Sequence, residues 1–221
     1  YVARRGISSE AVQHFRLGYA NRRLGYRLPM RQSKTGAELR GRLQEIGVYR
    51  ESGHEHLNGS LVIPLFDEHG RVVQLYGRKI LDDLREGTPK HLYLPGPHRG
   101  IFNRAALSGS DEVIVCEALI DALTFWSAGY RNVTSAYGIE GVTDELFSAL
   151  VSSGARVKIA FDRDDAGERG AEKLSARLIA EGVETYRVMF PKGMDANLYA
   201  EKVTPATDSL GIVLRQARWM G

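Results

Sequence analysis

The chain has 221 residues, a formal net charge of +3 and a hydrophobic fraction of 43%, so it can bury an ordinary core. No apolar run is long enough to span a membrane and no signal peptide is visible, which favours a cytoplasmic protein with no membrane partner. The only cysteine, Cys116, excludes an internal disulfide and a zinc site built on cysteines. The chain begins at Tyr1 without a methionine, which indicates a piece of a longer protein.

The charge is divided unevenly along the chain. Residues 1–110 contain 18 Lys and Arg against 10 Asp and Glu, a net charge of +8. Residues 111–221 contain 12 against 17, a net charge of −5. A basic half followed by an acidic half is typical of a protein that holds a polyanion beside a metal site. Unevenly charged solvated surfaces are the alternative explanation, and the charges alone do not separate the two.

The N-terminal half predicts a mixture of short helices and strands. A helix is expected after Ser8, with this serine or the next one as its N-cap, and a second helix over 37–46. Residues 61–66 and 72–76 are interpreted as two strands joined by a turn, which predicts a β-hairpin. The segment 88–103 is basic and proline-rich, and it is expected to be a loop suited to phosphate groups.

The C-terminal half alternates strands with helices, which predicts a parallel, doubly wound sheet. Asp165 is expected to cap the third helix of this half, in a capping box with Glu168. A short helix over 197–202 and a helical tail over 206–221 complete the prediction. The predicted strands are 113–116, 132–136, 157–161 and 183–190, and the predicted helices between them are 119–128, 143–153 and 165–181.

Acidic side chains follow three of these strands. Glu117 comes directly after the first strand, and Asp162 and Asp164 come directly after the third. Asp195 ends the turn that follows the last predicted strand. Ligands of such sheets bind at the carboxyl ends of the strands, so we expect these acids to converge there. Like charges held together require a cation, and an all-oxygen ligand set favours a hard divalent ion such as Mg²⁺. The alternative is that the acids cap the following helices.

These motifs resemble the TOPRIM domain, a metal-binding module of bacterial primases, topoisomerases and some nucleases. The resemblance rests on E-(x)3-D at Glu117 and Asp121, on D-x-D at 162–164 followed by Ala-Gly, and on P-x-G-x-D ending at Asp195. The spacing is most similar to that of the DnaG-type DNA primases. In the N-terminal half, RGISSEAVQHFRLGYA, the segment around VIPLFDEHGRVVQLYGR, and TPKHLYLPGPHRG resemble further motifs of the same catalytic core.

The sequence departs from the family pattern at four positions. Ala118 stands where the family has a glycine, and Asn197 stands where it has a second acid after Asp195. An asparagine there brings no charge, although its amide oxygen is able to bind a metal. Asn58 and Ser60 stand where the family has arginines before a strand, so nucleotide contacts are not carried over to them.

The resemblance implies a DNA-dependent RNA polymerase that makes short primers on single-stranded DNA from ribonucleoside triphosphates, using Mg²⁺ or Mn²⁺. A replicative helicase is expected to bind through segments outside this sequence. The implied catalytic residues are Glu117, Asp121, Asp162 and Asp164. The implied metal ligands are Glu117, Asp162, Asp164 and Asp195. The residues expected to bind nucleotide or DNA are Arg78, Lys90 and Arg99.

The expected architecture is α/β, with a smaller basic α+β subdomain over 1–110, a TOPRIM domain over 111–205 and a helical tail over 206–221. The divergent, arginine-rich N-terminal half indicates a relative of the mobile-element or phage type. Two other functions stay open at this point. One is a TOPRIM nuclease or topoisomerase-type enzyme, and the other is a non-catalytic nucleic-acid-binding module with a degenerate site, which Ala118 and Asn197 make conceivable.

Overall fold

The structure, a computed structural model, describes residues 1–81, 83–138 and 141–221. They form two compact units, Gln13–Arg99 in one and Tyr1–Val12 with Gly100–Gly221 in the other. The units differ in extent from the domains predicted from the sequence, because both chain ends pack within the second unit.

Side-chain hydrogen bonds attach the first residues of the chain to this second unit. Arg5 donates to the side chain of Asn197 at 2.7 Å, and the backbone N–H of Ser8 donates to Ser127 at 3.0 Å. Helix α1, Ser9–His14, follows. Its predicted start is confirmed, because the Ser8 hydroxyl accepts a hydrogen bond of 3.1 Å from the backbone N–H of Ala11.

The unit Gln13–Arg99 is built on an antiparallel sheet in which each strand pairs with the next along the chain. The predicted hairpin is confirmed, and Leu61, Ile63 and Leu65 alternate as its buried residues. The second predicted helix begins earlier than expected, because the Ser33 side chain accepts from the Gly36 N–H and caps it. The elements are β1 Gly18–Tyr19, α2 Leu24–Arg27, α3 Lys34–Glu45, β2 Ser60–Phe66, β3 Val72–Lys79 and β4 His91–Tyr93.

The sequence prediction of a loop over 88–103 is wrong in part, because this segment contains strand β4. Three residues, His91–Tyr93, pair with β3 and extend the sheet. The pairing is too short to leave an alternating pattern in the sequence, so the proline and glycine residues around it dominate the prediction.

The larger unit contains a five-stranded sheet in the order β6-β5-β7-β8-β9. The first four of these strands are parallel, and β9 pairs antiparallel with β8 at the edge. The strands are β5 Glu112–Cys116, β6 Val133–Ser135, β7 Arg156–Ala160, β8 Thr185–Arg187 and β9 Arg218–Trp219. The helices are α4 Leu119–Ser127, α5 Asp144–Ser153, α6 Asp165–Ala180, α7 Ala196–Lys202 and α8 Ala206–Arg215. A short 3₁₀ helix, Arg104–Leu107, precedes β5.

Apolar residues cover both faces of this sheet. One face packs against helices α5 and α6, through a buried cluster that includes Val115 and Ile159 on the strands and Leu150 and Leu178 on the helices. Helix α4 contacts β5, β6 and α7. Because successive strand residues point to opposite faces, Cys116 lies on the side away from Val115. The predicted α/β class, with a parallel doubly wound sheet and a smaller α+β subdomain, is confirmed.

The end of the chain adds an element that the sequence prediction lacks. The predicted tail helix is present as α8, but the chain then forms β9, whose Trp219 pairs with Tyr186 of β8. Strand β8 is therefore not the last strand of the sheet. In the described part of the chain, no helix is both long enough and apolar enough to cross a bilayer.

Candidate functional site

Strands β5 and β7 are neighbours in the sheet, but their connections run in opposite directions. Helix α4 leads from β5 to β6 on one side, and helix α6 leads from β7 to β8 on the other. A crevice at the carboxyl ends of two such strands is the common ligand site of doubly wound sheets. Glu117 directly follows β5, and Asp162 stands two residues after the end of β7.

Glu117 is half-buried at this edge of the sheet. Burial, followed by the negative charge of Asp162, raises the pKa of its carboxyl from 4.5 to about 7. A hydrogen bond from the backbone N–H of Asp162 and the charge of Arg187 act in the opposite direction and lower that pKa. The Oε2 atom of Glu117 is buried and has no hydrogen-bond partner among the described residues. A buried oxygen without a partner is unfavourable, and it is available to a proton or a cation.

Asp162 is the carboxylate that links the others electrostatically. Its pKa is raised from 3.8 to about 6, first by burial and then by the charges of Asp195 and Asp164, while Arg187 lowers it. Carboxylates that follow separate strands therefore repel one another, as expected if the acids converge. Repulsion of this kind is relieved when a cation is bound.

Asp164 both belongs to this cluster and caps a helix. Its Oδ1 accepts a hydrogen bond of 2.7 Å from the backbone N–H of Gly167, so Asp164, and not Asp165, is the N-cap of α6. The prediction that Asp165 caps this helix was wrong by one residue, because the extended backbone ends one residue earlier, at Asp164. Asp165 is the first helical residue, and Glu168 pairs with Arg187 at 2.7 Å and with Arg163 at 3.5 Å.

Gly167 lets the first turn of α6 lie directly against the loop that carries Asp162. A Cβ atom at this position would lie 2.3 Å from the carbonyl oxygen of Asp162. No side chain fits in that space, so the Ala-Gly pair after D-x-D has a steric reason here. The glycine fixes the distance between the helix N-terminus and the central carboxylate.

Asp121 lies one helical turn after Glu117, in α4, and is only 4% exposed. Burial, followed by the charges of Asp195 and Asp162, raises the pKa of Asp121 well above its usual range. Its Oδ1 accepts a hydrogen bond of 3.0 Å from the backbone N–H of Asn197, at the start of α7. Asp121 therefore joins α4 to α7 behind the acidic edge.

The loop that delivers Asp195 is fastened to the D-x-D loop by its backbone. The N–H of Arg163 donates to the carbonyl of Met194 at 3.1 Å, and the N–H of Gly193 donates back to Arg163 at 2.9 Å. Asp195 itself caps α7, since its Oδ1 accepts from the N–H of Leu198 at 2.6 Å. Asp164 and Asp195 thus each use one carboxylate oxygen to cap a helix, and the second oxygen of each is not used in the cap.

Asn197, which the sequence analysis considered as an amide ligand, has no free polar atom. Its Oδ1 accepts from Arg5, and its Nδ2 donates to the carbonyl of Arg5 at 2.9 Å and to the hydroxyl of Thr124 at 2.7 Å. The side chain is 1% exposed. The asparagine is a structural residue that fastens the N-terminal segment to α4 and α7.

Arg187 is a residue of the acidic edge that the sequence analysis missed. Although it lies in β8, its side chain is 3% exposed and its guanidinium donates to the carbonyl oxygens of Phe161 at 3.0 Å and Asp162 at 3.0 Å. It also pairs with Glu168 at 2.7 Å. A charged residue in the middle of the apolar run VETYRVMF was the available signal, because an arginine is almost never buried without partners.

The acidic edge offers carboxylate oxygens as its donors to a metal ion. In the part of the chain that the structure describes, no three His, Cys, Asp or Glu side chains converge closely enough to hold a metal ion as they stand. The donors are nonetheless all carboxylates, and the buried Oε2 of Glu117 lacks a partner. Mg²⁺ binds through one or two carboxylates and fills its other positions with water and substrate phosphates. The residues fit such an ion.

The predicted phosphate-binding residues lie in the other unit, and two of them act on the same histidine. Partial burial, followed by the charges of Arg78 and Lys90, lowers the pKa of His91 to about 4. The Arg78 guanidinium donates to Nε2 of His91, and the hydroxyl of Tyr76 bonds the other ring nitrogen at 2.8 Å. Arg99, the last residue of this unit, lies six residues beyond β4 and is exposed.

Two family models match the chain. Residues 1–107 match the N-terminal domain of the DNA primase catalytic core, and residues 114–200 match a Toprim-like domain. The first match contains Arg78, Lys90 and Arg99, and the second contains all five acidic candidates. Together the two matches span most of the chain and adjoin each other.

Curated proteins similar to this chain are bacterial DNA primases. The one from Aquifex aeolicus is 29% identical over 217 residues, which is 91% of this chain and 42% of that protein. The one from Halalkalibacterium halodurans is 27% identical over 218 residues, which is 91% of this chain and 35% of that protein. The chain therefore spans less than half the length of the curated relatives it matches.

Solved primase structures share the fold. The crystal structure of the zinc-binding and RNA polymerase domains of the Aquifex aeolicus primase aligns with a TM-score of 0.81 and 25% identity. The alignment covers 100% of this chain and 55% of that one.

Proposed function

Since the chain belongs to the family of DnaG-type DNA primase catalytic cores with a TOPRIM domain, we propose that it carries the primer-synthesising centre of such an enzyme. The proposed reaction is DNA-directed RNA synthesis, in which ribonucleoside triphosphates are joined on a single-stranded DNA template. The proposed place of action is the cytoplasm, and a helicase partner would bind outside this sequence.

One observation carries the proposal more than any other. The primase-core match and the Toprim-like match occur in one chain, in that order, and acidic residues of the Toprim-like part follow β5 and β7 at the switch point of its sheet. A TOPRIM nuclease or topoisomerase shares the acidic edge, but the N-terminal 107 residues favour the primase. A degenerate binding module would not need the repelling carboxylates that this edge retains.

A metal site at this edge is part of the proposal. Asp162, Asp164 and Asp195 are the residues that would hold divalent ions, with Mg²⁺ or Mn²⁺ as the proposed metal, and Glu117 would either join them as a ligand or act as the base. When bound, such ions neutralise charge at the phosphates and at the attacking and leaving oxygens of a nucleotidyl transfer. The repulsion that raises the pKa of Asp162 supports this assignment, because a cation would remove it.

Glu117 is the proposed general base. Its pKa of about 7 matches the pH at which a base is most useful, and its Oε2 has no partner among the described residues. In this role the carboxylate accepts the proton of the attacking 3′-hydroxyl group. Asp121, whose buried carboxyl is anchored to α7, positions the helix that follows Glu117.

Arg78, Lys90 and Arg99 are the proposed contacts to the triphosphate or to the template. Neutralisation of His91 at physiological pH supports this role for the first two, because the ring then adds no charge and accepts a hydrogen bond from Arg78. The guanidinium group is thereby held in one orientation while its remaining N–H groups stay able to bind a phosphate.

Primer synthesis on single-stranded DNA tests the proposed function. The chain is incubated with an unprimed template, labelled ribonucleoside triphosphates and Mg²⁺ or Mn²⁺, and the products are separated by length. The proposal predicts short template-dependent RNA, and it predicts no product with Asp162→Asn. Cleavage or relaxation of DNA without synthesis would instead favour the nuclease or topoisomerase-type alternative.

A further inference from the structure

A large cavity lies within the unit Gln13–Arg99, apart from the residues assigned above. Its volume is about 1080 Å³, and its walls come from α2, α3, the segment 49–58 and the end of β3. Among the described residues, the cations that line it outnumber the three lining carboxylates, which belong to Glu51, Glu55 and Glu86. The six lining cations are Arg22, Arg31, Arg40, Arg50, Lys79 and Arg85.

Two of these cations, Arg22 and Lys79, are held by one residue, Asn58. Arg22 Nε donates to the side-chain oxygen of Asn58 at 2.7 Å, and Lys79 Nζ donates to its backbone carbonyl. Burial, followed by the positive charges of Arg50 and Arg22, lowers the pKa of Lys79. The charges of Arg50 and Arg22 therefore both act on Lys79, which is unfavourable unless an anion lies nearby.

The orientation of Arg50 is fixed by His56. His56 Nε2 faces the carbonyl oxygen of Tyr93 at 2.9 Å, so this nitrogen must carry the proton. Its Nδ1 then accepts from Arg50 Nε at 3.3 Å. The two terminal nitrogens of the guanidinium are left for another partner.

The backbone of Arg22 is held in an uncommon conformation. Its φ angle is +63°, in the left-handed region that a side chain other than glycine rarely adopts. Strain of this kind persists where the surroundings enforce it, and it is concentrated at binding sites. Within the described residues, no carboxylate lies at salt-bridge distance from Arg22, Arg50 or Lys79. By contrast, Arg40 is used structurally, since it donates to the carbonyls of Pro29 and Gly25.

We infer that this cavity is a phosphate-binding site, in which Arg22, Arg50 and Lys79 contact the backbone of a single-stranded nucleic acid or the triphosphate of a nucleotide. The site differs from the one assigned to Arg78, because neighbouring residues of β3 point to opposite faces of the sheet. Asn58 holds two cations that come from other elements, Arg22 and Lys79. The ligand class rests on the proposed function.

Equilibrium binding without divalent metal tests this site separately from catalysis. A fluorescent oligothymidylate and a fluorescent ATP analogue are titrated into the full chain in EDTA at several salt concentrations. The variants are Arg22→Gln, Arg50→Gln and Lys79→Gln, singly and in pairs. Arg42→Gln is the matched control, because it removes an exposed cation of α3 that does not line the cavity.

The site predicts about tenfold weaker binding for each single variant, in line with the loss of one charged hydrogen bond. If the ligand is the nucleic-acid backbone, the oligonucleotide loses affinity and its salt slope falls by about 0.7 per contact, while ATP binding is unchanged. If the ligand is a nucleotide, the ATP analogue loses affinity instead. A loss with both probes also supports the site, as a site for phosphate in either form.

Binding of both probes by all three variants at the level of Arg42→Gln would overturn the inference. Arg50→Gln guards against a loss caused by misfolding, because Arg50 is exposed and the one hydrogen bond its side chain makes to a described residue goes to His56. Its unfolding midpoint is measured beside its affinity. A chain that binds through this cavity but makes no primer would contradict the proposed function and leave the site standing.

Discussion

The guanidinium group of Arg187 donates a hydrogen bond of 3.0 Å to the carbonyl oxygen of Asp162. The same nitrogen pairs with Glu168 of α6 at 2.7 Å, so one side chain ties the D-x-D loop to both β8 and α6. Its positive charge also lowers the pKa of Asp162 and of Glu117, against the repulsion of the surrounding acids. The buried guanidinium group of Arg187, from β8, thus supports the acidic residues that follow β5 and β7.

Replacement of Arg187 tests this support. Arg187→Met removes the donor to several buried carbonyl oxygens and leaves Glu168 only its longer ion pair with Arg163, at 3.5 Å, so we expect a loss of about 3 kcal/mol in the free energy of unfolding. Urea denaturation measures it. Arg169→Met is the matched control, since Arg169 is an exposed residue of α6, and it should change stability by less than about 0.5 kcal/mol. Equal stability of both variants would contradict the positioning role.

The stability of the metal-free chain should depend on pH in a defined direction. The carboxyls of Glu117 and Asp162 titrate at about 7 and about 6 in the folded chain, above their ordinary values of 4.5 and 3.8. Between these limits the folded state binds more protons than the unfolded state, so the free energy of unfolding falls as the pH rises from about 4 to about 7.

Urea denaturation in EDTA across this pH range measures the effect. The double variant Glu117→Gln with Asp162→Asn should show a flatter profile, and Mg²⁺ should restore stability to the wild-type chain at pH 7. A wild-type profile that rises over the same interval would show that these carboxylates are not the repelling groups.

Substitution of Gly167 should disturb the acidic edge without changing its charge. The added Cβ of Gly167→Ala meets the carbonyl oxygen of Asp162, so α6 must shift and we expect a loss of about 1–3 kcal/mol together with weaker metal binding. Gly41→Ala is the control, because a Cβ there meets nothing within 4 Å and lies inside α3. That variant should gain about 0.5–1 kcal/mol. Denaturation and metal titration of both variants provide the comparison.

Restoring an acid at Asn197 should not improve the metal site. Asn197→Asp loses both donors of the amide, to Arg5 and to Thr124, and places a charge beside the buried Asp121. We expect about 1–3 kcal/mol of destabilisation and unchanged Mg²⁺ affinity. Asn197→Ala serves as the comparison that removes the same donors without adding the charge. Tighter metal binding by Asn197→Asp would make the residue a ligand position.

Glu117→Gln separates a base from a ligand. It keeps the shape of the side chain but cannot accept a proton, so we expect single-turnover bond formation to fall by about 10²–10⁴-fold while metal affinity changes only a few-fold. Parallel losses in rate and in metal affinity would make Glu117 a metal ligand instead. Unchanged rates would leave it without a chemical role.

The sequence predicted the elements whose pattern is long and periodic. The sequence placed the buried strands before Glu117 and Asp162 to within a few residues. It did the same for the helix that Thr143 caps and for the helix that ends before Gly182. The order of these elements was enough to predict a doubly wound sheet, and the position of the acids after its strands was enough to predict an acidic edge.

The remainder depended on contacts that no local pattern contains. Strand β9 has two residues, and its pairing with β8 depends on the path of the chain after α8. The capping role of Asp164 differed from the prediction by a single residue, because two adjacent aspartates are equally suitable caps. The partners of Arg187 and Asn197 lie far away in sequence, so only the folded chain identifies them.

Phosphodiester formation by Asp162→Asn tests the central claim most directly. Asp162 is the carboxylate that couples Glu117, Asp164 and Asp195, and asparagine preserves its size while removing its charge. The account predicts that Mg²⁺- or Mn²⁺-dependent primer synthesis falls to background, while the metal-free variant is at least as stable as the wild-type chain. Synthesis at the wild-type rate by Asp162→Asn would contradict a catalytic metal centre at this edge of the sheet.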